Sequence, residues 1–440
     1  MTTITQSKLF PIYLINFIGS LGYSLVLPFL IVLVLDFGGN ELIYGILGAT
    51  YSSFQLFGAP ILGSWSDRVG RKRILLLTQM GTFLAWCIFL IALLIPNWPL
   101  TEINSTWLGS FMLGWPLLLL FVGRAFDGAT GGNVSVANAY LADVSTPEDR
   151  KANFGNMSAA GSLGFVIGPA LAGVLGATVL GNVLPVLAAM LISAVAIIVI
   201  LRLLPETKQC GDTPERTAEF IARKVQGQEH KDCKPSPREE TGHRFIDVWK
   251  LPNVPFFIVV YFLVFLAFNF FYVAFPVYAI EGLSWSTVEL GIFYSALGGS
   301  MVFFQGPVLS RLSKKVSDAS LILTGSALLA IGFCLFTVPN LWSVGIGVLL
   351  FSGGNGIMWP SFLSLLSRSV PAADQGAVQG YAGSAGSLAS IVGLILGGIL
   401  YTWLGSMLFF LPAMVLGLIL LLGLSFVRIE QAAKSSVSSS

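Results

Sequence analysis

Charge is scarce in this 440-residue chain: Asp, Glu, Lys and Arg make up 10% of it. Soluble domains carry about a quarter, so a large water-soluble enzyme is excluded. Histidine is nearly missing, with His230 and His243 in one polar stretch, and the apolar segments hold no nucleophile–base or metal-ligand cluster. No membrane enzyme, metal centre or cofactor is therefore expected. The four cysteines form no CxxC, and the one near histidine, His230 three residues before Cys233, makes no ligand set, so neither a zinc site nor a disulfide framework is supported. Basic and acidic residues nearly balance, 24 against 22, so nothing points to nucleic acid. Ten-residue stretches of alternating polarity are also missing, and a β-barrel with them.

What is there is hydrophobic: 55% of residues, with a mean hydropathy of +0.81. Apolar segments recur near 9–33, 41–65, 74–96, 112–142, 152–176 and 183–204, then near 251–279, 287–309, 319–338, 342–368, 377–401 and 407–427. Each is long enough to span a bilayer as a helix, and helices satisfy their own backbone in lipid. The reading is an all-α membrane protein of twelve transmembrane helices. It divides into a six-helix bundle at 1–204, a central loop at 205–250, a second bundle at 251–427 and a tail at 428–440. The first apolar run reads as a retained anchor. The central loop reads as a solvated linker, with an amphipathic helix plausible at 214–226.

Lys and Arg set the expected orientation. With both termini in the cytoplasm, every basic residue except Arg124 falls on the inner side, while the outer loops hold acids such as Asp36, Glu102 and Glu281. The expected location is the inner membrane of a bacterial cell, as a monomer in the lipid bilayer.

The halves repeat. A shift of 225 residues superposes 149–173 on 374–398 with ten identities in 25 positions, including Ala160-Gly161-Ser162-Leu163 on Ala385-Gly386-Ser387-Leu388, Gly168 on Gly393 and Gly173 on Gly398. Repeated six-helix units with a site between them are a transporter architecture.

Between the second and third spans the chain reads Gly63-Ser64-Trp65-Ser66-Asp67-Arg68-Val69-Gly70-Arg71-Lys72-Arg73. Gly63 permits close helix contact, Gly70 a tight turn, and the cations keep the loop inside. This stretch resembles the loop signature of the major facilitator superfamily, with Trp65 in place of a leucine; Leu204-Pro205-Glu206-Thr207 fits the same resemblance. The resemblance implies two six-helix bundles related by a pseudo-two-fold axis. It also implies a gating role for Gly63, Asp67, Arg68, Gly70, Arg71 and Lys72. Asp67 would face residues 376–378, and Arg71 would pair with Asp143, in contacts that form when the cytoplasmic side closes and break when it opens. A degenerate second copy runs from Gly306 to Lys315, with Ser310 where the acid should stand.

In the fifth span, Gly164, Gly168, Pro169 and Gly173 resemble the signature of drug:proton antiporters, with Ala172 in place of a glycine. Such a helix is thin and kinked. In the fourth span, Gly123-Arg124-Ala125-Phe126-Asp127-Gly128 resembles the arginine motif of the same antiporters, tetracycline-efflux proteins especially. Charges this deep in lipid are functional by default. Asp127, three residues from Arg124, could take or lose a proton as its surroundings alternate between wet and dry; a permanent, inert ion pair is the competing reading. Tetracycline exporters carry an acid in the first helix where this chain has Gly19-Ser20-Leu21-Gly22, which leaves Asp127 as the one carboxylate well inside the membrane.

Polar and aromatic residues within the spans supply candidate substrate contacts: Asn16, Tyr23, Gln55, Asn133, Asn156, Asn269, Tyr272, Gln305, Asn355 and Trp359. An aromatic cavity with few charges suits an amphipathic solute. The expected function is proton-coupled efflux of drug-like or amphipathic small molecules by alternating access. The alternative is a metabolite or sugar uniporter or proton symporter on the same fold.

Overall fold

The computed structural model describes residues 9–26, 28–105, 109–131, 133–145, 150–206, 251–370 and 375–438. Most of the central loop, including the segment at 214–226, lies outside the described residues. The first half comprises α1 (Phe10–Leu25), α2 (Leu30–Asp36), α3 (Glu41–Val69), α4 (Arg71–Leu94), β1 (Pro99–Ser105), β2 (Gly109–Gly114), α5 (Trp115–Ala129), α6 (Asn133–Val144), α7 (Arg150–Gly176) and α8 (Val183–Leu203). The second comprises α9 (Val254–Glu281), α10 (Thr287–Phe303), α11 (Asp318–Phe336), α12 (Leu341–Arg368), α13 (Gln375–Leu404), α14 (Phe410–Leu421) and α15 (Gly423–Ser438). Among the described residues, nine helical stretches are long and apolar enough to cross a membrane. With the broken passes added, the order is compatible with twelve crossings.

Helix starts follow local chemistry. Asn40 Oδ1 accepts the Ile43 N–H at 2.9 Å, Asn340 accepts from Trp342, and Ser286 forms a capping box with Glu289.

Two expectations need correction. The fourth span does not begin at 112: residues 109–114 form a strand paired antiparallel with β1, and the helix starts at Trp115. Gly109 takes a positive φ of 71° at the turn. Pro116 sits in the first helical turn, where its missing N–H costs nothing. The Met112 N–H donates to Gly38 O at 2.8 Å, docking the hairpin on the turn between α2 and α3. A short apolar run cannot tell a strand from a helix start. The fourth span is also broken in two, since α5 ends at Ala129 and α6 starts at Asn133. Similar interruptions lie at Pro28, between α1 and α2, and at a π-helical turn, Phe304–Val308, that carries Pro307.

Lipid gives no hydrophobic gain when helices associate, so close contact has to hold the bundle. The second half uses phenyl rings: Phe271, Phe275, Phe293, Phe333, Phe336, Phe351 and Phe409 form one cluster, with Phe275 and Phe293 stacked at 3.9 Å. Such pairs contribute about 0.5–1.5 kcal/mol each. The first half uses glycine. A Cβ at Gly128 would lie 2.4 Å from Tyr51 O, and one at Gly58 2.4 Å from Ala129 O, so α3 and α5 run in backbone contact.

Among the described residues, the tight glycine contacts between the two halves gather toward one end. At the end that carries the hairpin, Gly45 and Gly48 abut Leu394, Gly398 abuts Glu41 and Leu42, and Gly173 abuts Gly291. The Tyr44 hydroxyl donates to Tyr272 O across the same seam at 3.4 Å. At the other end, which carries the basic loops, Gly63, Gly155, Gly306, Gly380 and Gly383 have open space where a Cβ would stand. Among the described residues, the close crossings between the bundles lie toward the hairpin end.

Candidate functional site

Tight glycine packing places a charged pair beside a cavity. α5 lies against α3 through Gly128 and against α4 through Gly123, which meets Phe89. Counted from Trp115, Arg124 is about 14 Å along its helix at 1.5 Å per residue. Asp127 follows in the last turn before the break at Gly131. The cavity beside them has a volume of about 40 Å³ and is lined by residues of the first half, the rings of Tyr23, Tyr51 and Trp86 together with the polar Gln79, Thr82, Asn133 and Ser193 and the charged Arg124 and Asp127.

The pair is loose. Arg124 Nη1 stands 3.9 Å from Asp127 Oδ2, beyond hydrogen-bonding distance. The other carboxylate oxygen, Oδ1, accepts from the Thr82 hydroxyl at 2.9 Å. Arg124 is 7% exposed, its guanidinium lies 5.2 Å over the Tyr51 ring, and its Nε has no hydrogen-bond partner. A buried guanidinium held by a ring face and a distant carboxylate keeps donor capacity for a further group.

The other candidates fall into two groups. Tyr23 and Asn133 line the cavity. Gln55 braces it, donating to the Tyr51 hydroxyl at 3.0 Å and to Gly131 O at 3.2 Å. Asn16 donates to Met157 O at 2.7 Å, and Asn269 to Phe265 O and to Ser390, so both act as contacts between or within helices. Asn355 faces the Met301 sulfur at 3.7 Å, and the backbone of Tyr272 receives Tyr44. Trp359 packs with Tyr261, Phe265 and Phe362 in an aromatic face of the second half. Asn156 is exposed toward the basic end, and Gln305 sits in the π-helical turn. Tyr51, Thr82 and Trp86 were not singled out in the sequence. The i, i+4 spacing of Tyr51 and Gln55 was the available signal for the first.

The glycines of α7 do two jobs. Gly164 and Gly168 let α1 approach: their Cβ atoms would lie 2.5 Å from Phe17 O and 2.1 Å from Ser24 Oγ. Pro169 and Gly173 instead meet Gly291 of the second half. The repeat-related Gly393 and Gly398 divide the same way, Gly393 against Asn269 in its own half and Gly398 against Leu42 across the seam.

In the basic loop, Arg71 Nε meets Asp143 Oδ2 at 2.9 Å, and its Nη1 donates to the Ser66 hydroxyl at 2.6 Å. The Arg71–Asp143 pair expected from the sequence is formed, and it joins α4 to α6 inside one half. The Lys72 ammonium donates to Leu201 O, and the Lys72 N–H to Glu206 Oε1 at 3.2 Å. Gly63 faces open space; the side chains of Asp67 and Arg68 lie outside those described. Gly70 has φ 116°, and a Cβ there would lie 2.5 Å from Glu206 Oε2. Gly70→Ala is therefore expected to cost about 1–3 kcal/mol, read as a lower melting temperature of the detergent-purified chain.

The second half has the same joint with its charges exchanged. Asp318, opening α11, meets Arg368, ending α12, at 3.1 Å, and Glu430 accepts the Ala319 N–H at 3.0 Å as Glu206 accepts that of Lys72.

The profile of the Major Facilitator Superfamily matches residues 12–394, with a second, overlapping match over 306–440. The chain belongs to this superfamily. It is 28% identical to a class C tetracycline resistance protein of Escherichia coli over 399 residues, 88% of this chain and 89% of the relative. To the class H protein of Pasteurella multocida it is 25% identical over 396 residues, 89% and 88% of the two chains. The fold resembles a D-xylose-proton symporter (TM-score 0.71, 16% identity, 95% and 97% coverage). It also resembles the human organic anion transporter MFSD10 (TETRAN; TM-score 0.62, 20% identity, 94% and 100% coverage). As a member of this superfamily, the protein is a multi-pass membrane transporter and not an enzyme.

Proposed function

We propose that this transporter exports drug-like or amphipathic small molecules in exchange for protons by alternating access. The observation that carries the reading is the loose Arg124–Asp127 pair on the cavity wall, in a chain otherwise stripped of membrane charge. Its likeness to tetracycline resistance proteins over nearly its whole length supports the direction of flux. In this reading the basic end faces the cytoplasm, the protein works as a monomer in the inner membrane, and the described conformation faces inward. A proton on Asp127 leaves Arg124 without its counter-charge; loss of the proton restores the pair. Cargo and proton that contend for this carboxylate produce exchange.

The test uses the purified chain in proteoliposomes with a fluorescent lipophilic dye and an imposed pH gradient. Dye movement against the proton flow supports exchange. Movement with the proton flow, or indifference to the gradient, would overturn it in favour of a symporter or a uniporter.

A further inference from the structure

Two acidic side chains from opposite halves meet at the hairpin end. Glu41 is the first residue of α3 and Glu281 the last of α9. Their carboxyl groups share a hydrogen bond across the seam. The backbone around them is tightly packed, since a Cβ at Gly398 of α13 would lie 3.2 Å from Glu41 O. Tyr401, one turn on from Gly398 and 8% exposed, is within electrostatic reach of both carboxyls and of Tyr278 on α9. The Tyr278 hydroxyl is buried and has no hydrogen-bond partner. Among the described residues, the titratable groups facing Glu281 are therefore Glu41 from α3, Tyr401 from α13 and Tyr278 from its own helix.

Two carboxylates repel each other, and neither has a hydrogen to donate. A hydrogen bond between them requires a proton on one. The loops at this end hold acids and no Lys or Arg, so no side chain there supplies a positive charge instead. The helix ends decide where the proton sits. An anion is favoured at a helix start and disfavoured at a helix end, which makes Glu281 the donor and Glu41 the acceptor. Partial burial, the hydrogen bond to Glu41 and the charge of Glu41 push Glu281 up to about 7.

The partners belong to different bundles, so their contact exists only while the hairpin end is closed. Opening separates them, returns Glu281 toward the ordinary glutamate value of about 4.3, and releases the proton. We propose that Glu41 and Glu281 form a proton-binding site that locks the hairpin end, closure taking up one proton and opening returning it to the same side of the membrane. A proton that enters and leaves on one side is not transported. It lets acidity on that side divide the population between the two conformations. Asp127 and the direction of coupling play no part in this; it rests on alternating access alone.

Because the value of Glu281 is raised in the closed form, the lock is complete in acid and is lost as pH climbs through about 7. From about pH 8 to about pH 5.5 the closed-to-open ratio is expected to rise about tenfold. The test is pulsed electron paramagnetic resonance on the full-length chain in nanodiscs, with its native cysteines replaced. Spin labels are attached in Leu180→Cys, between α7 and α8, and Trp342→Cys, at the start of α12; both positions are exposed at the hairpin end, one in each half. Acid should convert long distances to short ones. Glu281→Gln leaves an amide that donates to Glu41 at every pH, so short distances should dominate throughout and the pH effect should vanish. Glu41→Gln removes the repelling charge and should flatten the response as well. Asp127→Asn should keep the full shift. No shift in the unsubstituted chain, a shift as large in the two Gln variants, a Glu281→Gln protein that stays open, or loss of the shift in Asp127→Asn would each overturn the lock. Absence of gradient-driven dye movement, with the pH shift intact, would reject proton exchange and retain the lock.

Discussion

Asp127→Asn is expected to reduce gradient-driven transport in proteoliposomes to the background of protein-free vesicles, while the purified protein remains folded. The side chain keeps its size, and Thr82 can still donate to the amide oxygen, so packing around the cavity should survive. What disappears is the group that can gain and lose a proton. The sequence has no second carboxylate in the apolar core to take its place. Counterflow, in which labelled solute exchanges for unlabelled with no gradient, should fall far less. If gradient-driven transport persists in Asp127→Asn, the coupling site lies elsewhere. Thr82→Val offers a graded version: one hydrogen bond to a charged group is lost, about 1.5–3 kcal/mol, with an intermediate transport rate expected.

A second large effect is expected at the seam between the bundles. At Gly45 a Cβ would stand 2.4 Å from the Leu394 carbonyl oxygen, and at Gly291 2.6 Å from that of Pro169. Backbone cannot rotate aside as a side chain can. Gly45→Val and Gly291→Val should therefore penalise only the conformation closed at the hairpin end. Overpacking costs about 1–3 kcal/mol, and each 1.4 kcal/mol is about a tenfold change in population. The expected shift toward the conformation open at the hairpin end is thus about ten- to hundredfold. Gly63→Val and Gly380→Val, which meet open space here, serve as controls. In a background free of native cysteines, Tyr272→Cys reports the hairpin end and Gly383→Cys the basic end. The seam variants should raise maleimide labelling of the first and lower that of the second. Unchanged labelling would mean the seam does not set the equilibrium.

How much of this was legible beforehand depends on the kind of interaction. Arg124 and Asp127 stood out because a charge in an apolar run is expensive wherever the run goes. Thr82 did not, because hydroxyls are common in membrane helices and its bond to Asp127 spans 45 residues of sequence. The two-fold repeat was readable from Gly168, Gly173, Gly393 and Gly398, since glycine at a close crossing has no substitute. The paired joints were not, although Asp143 and Arg368 stand 225 residues apart, the same shift that superposes the repeats. A comparison by identity passes over positions whose charges are opposite. The hairpin at 99–114 escaped for a different reason: its apolar residues continue those of the helix that follows, and only Gly109 at the turn and the docking on Gly38 distinguish them.

The exchange of charges between the two joints bears on assembly. A freshly inserted half offers a docking surface that its duplicate could imitate. Mispairing α4 with α12 would set Arg71 against Arg368, and pairing α11 with α6 would set Asp318 against Asp143. Like charges thus mark each wrong partner, while each correct one finds its opposite. Opposite polarity at equivalent positions acts as an address label, keeping two nearly interchangeable halves from knitting together out of order.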